Sequence, residues 1–317
     1  MNTKRFGWFA WAVAAYNLVV ILWGAFVRAT GSGAGCGNHW PLCTGQLIPR
    51  SPQLETLIEL SHRGSTGVLL FAVAGLVIGA FRLYPKGHPV RLGATLSAFF
   101  LFMEAALGAG LVLFEYVARN VSIARAWWDG THLINTYFLV AVITLTAWWA
   151  TGGKRLRLRN QGSVGWALLI ALLGELILGA TGAVIAMGDT LVLQAGISPE
   201  SSPVLAQIIE MRIYHPILAF GVGALLIIAV WLVNWRRPSA EVKKFTRWLG
   251  AAFIAQLLIG AFNVALKAPV WVQLIHLLNA DLIWMLFVLL SATALSQQEA
   301  IVTQPEMKRA ELGLPAQ

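Results

Sequence analysis

The sequence predicts an all-α polytopic membrane protein: eight transmembrane helices forming two four-helix bundles of the same topology. Three observations carry this expectation. Of 317 residues, 58% are hydrophobic and 12% charged, whereas roughly 25% of a soluble domain is charged, so most of the surface must face something other than water. Eight apolar stretches are each long enough to cross about 30 Å of hydrocarbon as helix. The second half of the chain also repeats the residue pattern of the first. With a mean hydropathy of +0.70 and only two Cys, the composition excludes a disordered chain, a secreted disulfide scaffold and an ordinary water-soluble enzyme.

The first stretch, 8–27, follows Lys4 and Arg5 and so starts like a signal peptide. Its apolar run of about 20 residues exceeds a signal-peptide core, and it reads as a retained span. The second, 60–81, opens just after Glu59 and carries His62. The third, 93–114, follows Lys86 and Arg91 and contains Glu104 and Gly108. The fourth, 131–150, contains His132 and Asn135. The fifth, 165–187, follows the basic run Lys154 to Arg159 and contains Glu175 and Gly179. The sixth, 213–233, carries His215 and ends before Arg236 and Arg237. The seventh, 245–266, follows Lys243 and Lys244 and contains Gln256 and Gly260. The eighth, 271–294, carries His276 and Asn279, and a polar tail follows.

Basic residues set the orientation. With the N-terminus inside, 16 of the 23 Lys and Arg fall in inner segments and 7 in outer ones. The predicted arrangement is N-in and C-in, with each odd-to-even connection outside. The net charge of +9 is then a topological signal rather than a nucleic-acid footprint.

The repeat is legible residue by residue. Odd spans share a Gly-Ala step at Gly24, Gly108, Gly179 and Gly260, and in three of them a polar residue sits four places earlier: Glu104, Glu175 and Gln256. Even spans each carry one His near the start, at His62, His132, His215 and His276, and the fourth and eighth match further as His132-Leu-Ile-Asn135 and His276-Leu-Leu-Asn279. Four spans per unit make the repeat parallel rather than inverted. Gly-Ala steps alone are common in helix packing; the histidine register is harder to attribute to packing.

Ionisable groups inside spans are costly and mark function. Imidazole ligates zinc, copper and heme iron. A single four-His site would need all four to converge, whereas one pair per bundle fits two separate sites, and facing His within a four-helix bundle suit heme. Arg63, Arg119, Arg125 and Arg212 lie close in sequence or in the next outer loop and are candidate propionate partners, or snorkelling residues. All four His fall on one side, which places both sites at a single depth near the outer leaflet, unlike hemes stacked across a bilayer for conduction. His39 and His88 lie in loops and read as bystanders.

The halves differ in two ways. Glu59 stands three residues before His62, on the same helix face; the aligned residue before His215 is Arg212. This assigns chemistry to an N-terminal unit, 1–152, and electron supply to a C-terminal unit, 153–296, with 297–317 as a cytoplasmic tail. The bland alternative is that Glu59 pairs with Arg63. Second, Cys36 and Cys43 bracket six residues in the first outer loop with no counterpart later. The outer compartment is oxidising, so a disulfide is expected, either fixing a lid or exchanging with a thiol donor; zinc would want more ligands than these two and His39 supply.

The run Gly24-Ala25-Phe-Val-Arg28-Ala-Thr30-Gly31-Ser32-Gly33-Ala-Gly-Cys36-Gly-Asn-His-Trp40-Pro41-Leu42-Cys43, followed by Glu59-x-x-His62-Arg63 and one His at the start of each later even span, closely resembles the heme A synthases over about residues 8–294. The resemblance implies an oxidoreductase acting on a methyl CH group, which converts heme O to heme A. It would do so by oxidising the C8 methyl to a formyl through a hydroxymethyl stage, for heme–copper oxidase assembly. It further implies that His62 and His132 hold the substrate heme, with Glu59 as the catalytic carboxylate, that His215 and His276 ligate a resident heme b, and that Cys36 and Cys43 match loop cysteines found in many members. Implied partners are heme O, a heme O synthase, and an electron donor or acceptor, in the cell membrane with the sites toward the extracytoplasmic side. Two other readings stay open: a diheme cytochrome b that relays electrons, and a non-catalytic heme carrier or assembly factor.

Overall fold

Apolar composition and cap chemistry together delimit eight helices in the computed structural model of the chain, which describes residues 2–297; residues 298–317 of the expected tail lie outside the described residues. The helices are α1 Thr3–Ala29, α2 Leu54–Leu83, α3 Pro89–Leu113, α4 Ile123–Ala150, α5 Gly162–Leu193, α6 Pro203–Arg236, α7 Ala240–Ala265 and α8 Val270–Leu295. Each is long and apolar enough to cross a membrane. The chain is an all-helical polytopic protein.

Side-chain oxygens take up the first free backbone N–H groups at several starts: Asn2 for α1, Ser122 for α4, Ser202 for α6 and Ser239 for α7. Pro203 occupies the first position of α6, where its missing N–H costs nothing. His88 caps α3 by accepting from the Val90 N–H at 3.3 Å and packs on Tyr84 with ring centres 4.6 Å apart, so it is a structural loop residue. The chain leaves α1 through Gly31, whose φ of +70° is the left-handed turn that ends a helix cheaply only with glycine.

Several helices outrun the apolar stretches read from the sequence, and the reason is charge pairing. The α4 helix starts at Ile123 instead of 131 because Arg125 donates to the carbonyls of Ala118 and Asn120, both at 2.9 Å, and lies 3.7 Å from Asp129. Helices α5 and α6 extend past their apolar limits together, because Asp189 near the end of one is ion-paired with Arg212 near the start of the other. A hydropathy window stops at each of these residues; paired, they no longer oppose helix.

Packing follows the repeat. Helices α1 to α4 form a ring of neighbours in chain order, closed by α4 on α1; α5 to α8 form a second, closed by α8 on α5. Phe6, Leu69, Leu76, Leu101 and Ile143 are buried inside the first group, and Val164, Leu226, Leu249, Phe287 and Leu290 inside the second. The groups meet along α1, α4, α5 and α8. At this seam Trp284 is fully buried, stacks on Tyr137 with ring centres 4.9 Å apart, and donates its indole N–H to the Tyr137 carbonyl at 2.7 Å. Above it Arg28 of α1 donates to the Thr190 hydroxyl of α5 at 3.2 Å.

Candidate functional site

Each of the four spans-borne histidines sits against a glycine of the helix before it. A Cβ on Gly24 would come within 2.9 Å of the His62 ring, on Gly182 within 3.3 Å of His215, and on Gly260 within 3.2 Å of His276; Gly108 faces His132 less tightly, at 3.8 Å. The missing side chain is what lets a helix backbone approach an imidazole this closely. The register differs from the sequence expectation in one place. Gly179, the expected equivalent, packs instead on Tyr137 at the seam, and Gly182, one helical turn on, takes its place beside His215.

Within each half the histidines fall in electrostatic range of one another, His62 of His132 and His276 of His215. Among the described residues, the Nδ1 atoms of His62, His132 and His276 are buried with no hydrogen-bond partner. His215 Nδ1 lies 3.3 Å from the Thr181 hydroxyl. Directly after His215, Pro216 interrupts the α6 hydrogen-bond ladder. Apolar walls, glycine-relieved approach and buried nitrogens without partners fit an iron porphyrin held by imidazole. No group of three or more His, Cys, Asp or Glu placed to hold a bare metal ion occurs among the described residues.

Glu59 is 3% exposed and fully engaged. Its Oε2 accepts from the Cys36 N–H at 2.8 Å, and its Oε1 accepts from the Arg63 guanidinium at 2.5 Å. Arg63 also donates to the carbonyls of His39 and Leu42, at 2.8 and 2.7 Å. One turn earlier, the Thr56 hydroxyl donates to the Gly35 carbonyl at 2.7 Å. Thr56, Glu59 and Arg63 occupy one face of α2 and hold down the loop closed by the Cys36–Cys43 disulfide. A Cβ on Gly35 would collide with the Glu55 and Thr56 backbone, so glycine there permits the approach that brings Cys36 to Glu59. The alternative reading of Glu59 holds, since it pairs with Arg63; the same carboxylate lies buried three residues from His62.

The four arginines expected near propionates have distinct surroundings. Arg63 is occupied by Glu59 and the loop, Arg125 by carbonyls and Asp129, Arg212 by Asp189, and Arg119 is exposed. Three groups with no site role assigned from the sequence are brought to the histidines by the structure. Glu104 lies 3.4 Å from His132 Nε2, Gln256 lies 3.3 Å from His276 Nε2, and Trp128 donates to the Leu107 carbonyl at 2.7 Å beside Gly108. The signal for the first two was present: both stand four residues before the shared glycine.

An eight-helix membrane fold with a glycine-backed histidine on each even-numbered helix defines a multi-histidine integral membrane protein. The chain belongs to the COX15-CtaA family of cytochrome oxidase assembly proteins, whose model matches residues 7–288. It is 48% identical over 315 residues to a protein of Thermus thermophilus named protoheme IX farnesyltransferase, a match covering 98% of this chain and 50% of that protein. It is 34% identical over 146 residues to a heme A synthase of Lysinibacillus sphaericus, covering 46% of this chain and 43% of the relative. A heme A synthase of Bacillus mycoides is 41% identical over 116 residues, 37% of each chain. The chain spans about half the length, or less, of the curated relatives it matches.

Proposed function

We propose that the chain is a heme A synthase. It would bind heme O between His62 and His132 in the 1–152 half and oxidise its C8 methyl to a formyl through a hydroxymethyl stage. The observation that carries the reading is the fourfold glycine–histidine pairing, together with the buried Glu59 and the disulfide loop, which only the first pair has. Family membership and the heme A synthase relatives support the product. The Thermus relative's name supports the substrate: farnesylation of protoheme yields the farnesylated heme on which this chain would act. A heme O synthase is accordingly the natural partner.

In the 153–296 half, His215 and His276 would hold a heme b, which supplies a one-electron carrier when bound. The chain's own residues do the rest. Gly24 and Gly108 leave room for the His62 and His132 rings, which orient the substrate. Glu59 holds or accepts a proton at Oε1 or Oε2 as the methyl group loses hydrogen, and its bond to Cys36 couples that carboxylate to the covering loop. The loop restricts water at the reacting edge. The inner excess of Lys and Arg orients the chain N-in and C-in in the cell membrane, with both sites toward the outside.

Expression in cells that make heme O, followed by acid extraction and chromatography of the hemes, tests this reading. Heme A is expected. Tight heme b with quinol-dependent reduction and no conversion would replace the reading with an electron relay, and bound, unmodified heme O would replace it with a carrier.

A further inference from the structure

Helix pairs α3–α4 and α7–α8 repeat one hydrogen-bonded latch with a single chemical change. In the first, Asn135 Nδ2 donates to the Phe100 carbonyl at 3.0 Å and to Glu104 Oε2 at 2.6 Å. In the second, Asn279 Nδ2 donates to the Ala252 carbonyl at 2.9 Å and to Gln256 Oε1 at 2.7 Å. The register is identical: the carbonyl lies four residues before the Glu or Gln, and the Asn lies three residues after the His. The carboxylate's remaining oxygen, Oε1, accepts from the Thr136 hydroxyl at 2.5 Å and lies 3.4 Å from His132 Nε2. Thr136 has Ala280 as its counterpart, so the extra donor accompanies the extra acceptor.

The change removes the carboxylate acceptor from the contact with the imidazole. Both Glu104 oxygens already accept, from Asn135 and Thr136, and Oε1 is placed to accept a ring N–H from His132 as well. The oxygen of Gln256 is already taken by Asn279, so its amide turns N–H toward His276, 3.3 Å from Nε2, while also donating to the His276 carbonyl at 3.1 Å. A carboxylate hydrogen-bonded to a ligating His raises the ligand's basicity. The amide N–H facing His276 Nε2 gives the ring no carboxylate acceptor, so His276 lacks that support as a ligand.

We infer that Glu104 and Gln256 are positioning residues that set the two histidines apart as ligands, so that iron held at His132 favours the ferric state relative to iron held at His276. This rests on the reading of both histidines as heme ligands. To the extent that this pair sets the two potentials, an electron passes downhill from the α1–α4 half to the α5–α8 half, so that the C-terminal unit receives electrons rather than supplying them as its sequence suggests.

The test uses the full chain in detergent, loaded with heme O and heme b and poised at a fixed potential. The two optical signals are assigned by their loss in His132→Ala and His276→Ala. Glu104→Gln is expected to shift the first-half heme toward ferrous by about tenfold in the ferric-to-ferrous ratio, equivalent to 59 mV for one electron, with Glu104→Asp restoring it. Gln256→Glu is expected to shift the second-half heme toward ferric by a similar factor. Hemes retained with wild-type ratios in both variants, or shifts of both in the same direction, would overturn the inference. If Glu104→Gln loses its heme, the Gln256→Glu arm decides alone, because it adds a carboxylate rather than removing one. A wild-type chain that holds no heme would overturn the underlying reading instead.

Discussion

Glu59 carries two loads, and they separate experimentally. Glu59→Gln keeps an acceptor for the Cys36 N–H but loses the charge facing Arg63. If Glu59 handles a proton in turnover, formation of heme A falls by about 10²–10⁴-fold while heme binding persists; turnover at the wild-type rate would leave Glu59 as a loop anchor. Gly24 tests the positioning of His62. A Cβ there would lie 2.9 Å from the ring, so Gly24→Ala should displace the imidazole and lower heme occupancy of the first half, read from the absorbance spectrum, with the second half unaffected. Glu104 shows the limit of reading residues singly. Its repeat position marked it as special, but only the α3–α4 packing reveals that it faces His132.

Helices and loops were legible to different depths. All eight spans followed from hydropathy, because burial in lipid demands long apolar runs. Their ends did not, since Arg125, Asp189 and Arg212 count against a span individually and support helix once paired. The substitution of Gly182 for Gly179 beside His215 was likewise invisible, because a shift of one helical turn leaves the apolar pattern nearly unchanged. The first outer loop is the element with the clearest stability prediction. Its disulfide joins residues seven apart, for which the loop-entropy relation gives about 2 kcal/mol. Thr56, Glu59 and Arg63 anchor the same loop independently. Replacing Cys36 and Cys43 by Ser should therefore lower the thermal midpoint modestly and leave heme A formation intact; loss of turnover with the fold preserved would give the pair a redox role.

At the scale of the whole molecule, the two helix groups depend on the seam between α1, α4, α5 and α8. Trp284 is its largest buried side chain, with both a stacked partner and a hydrogen bond on α4. Trp284→Ala should destabilise the protein by about 3–5 kcal/mol, seen as a lower thermal midpoint for the whole chain; separate melting of one group alone would show that the seam does not couple them. The duplication places equivalent histidines in both groups, and the proposed function gives the two groups different hemes. The most direct measurement is the heme content of His132→Ala and His276→Ala, each expressed in cells that make heme O. His132→Ala is expected to retain heme b and contain neither heme O nor heme A, while His276→Ala is expected to lose heme b and accumulate unconverted heme O. Loss of the same heme from both variants would contradict this assignment.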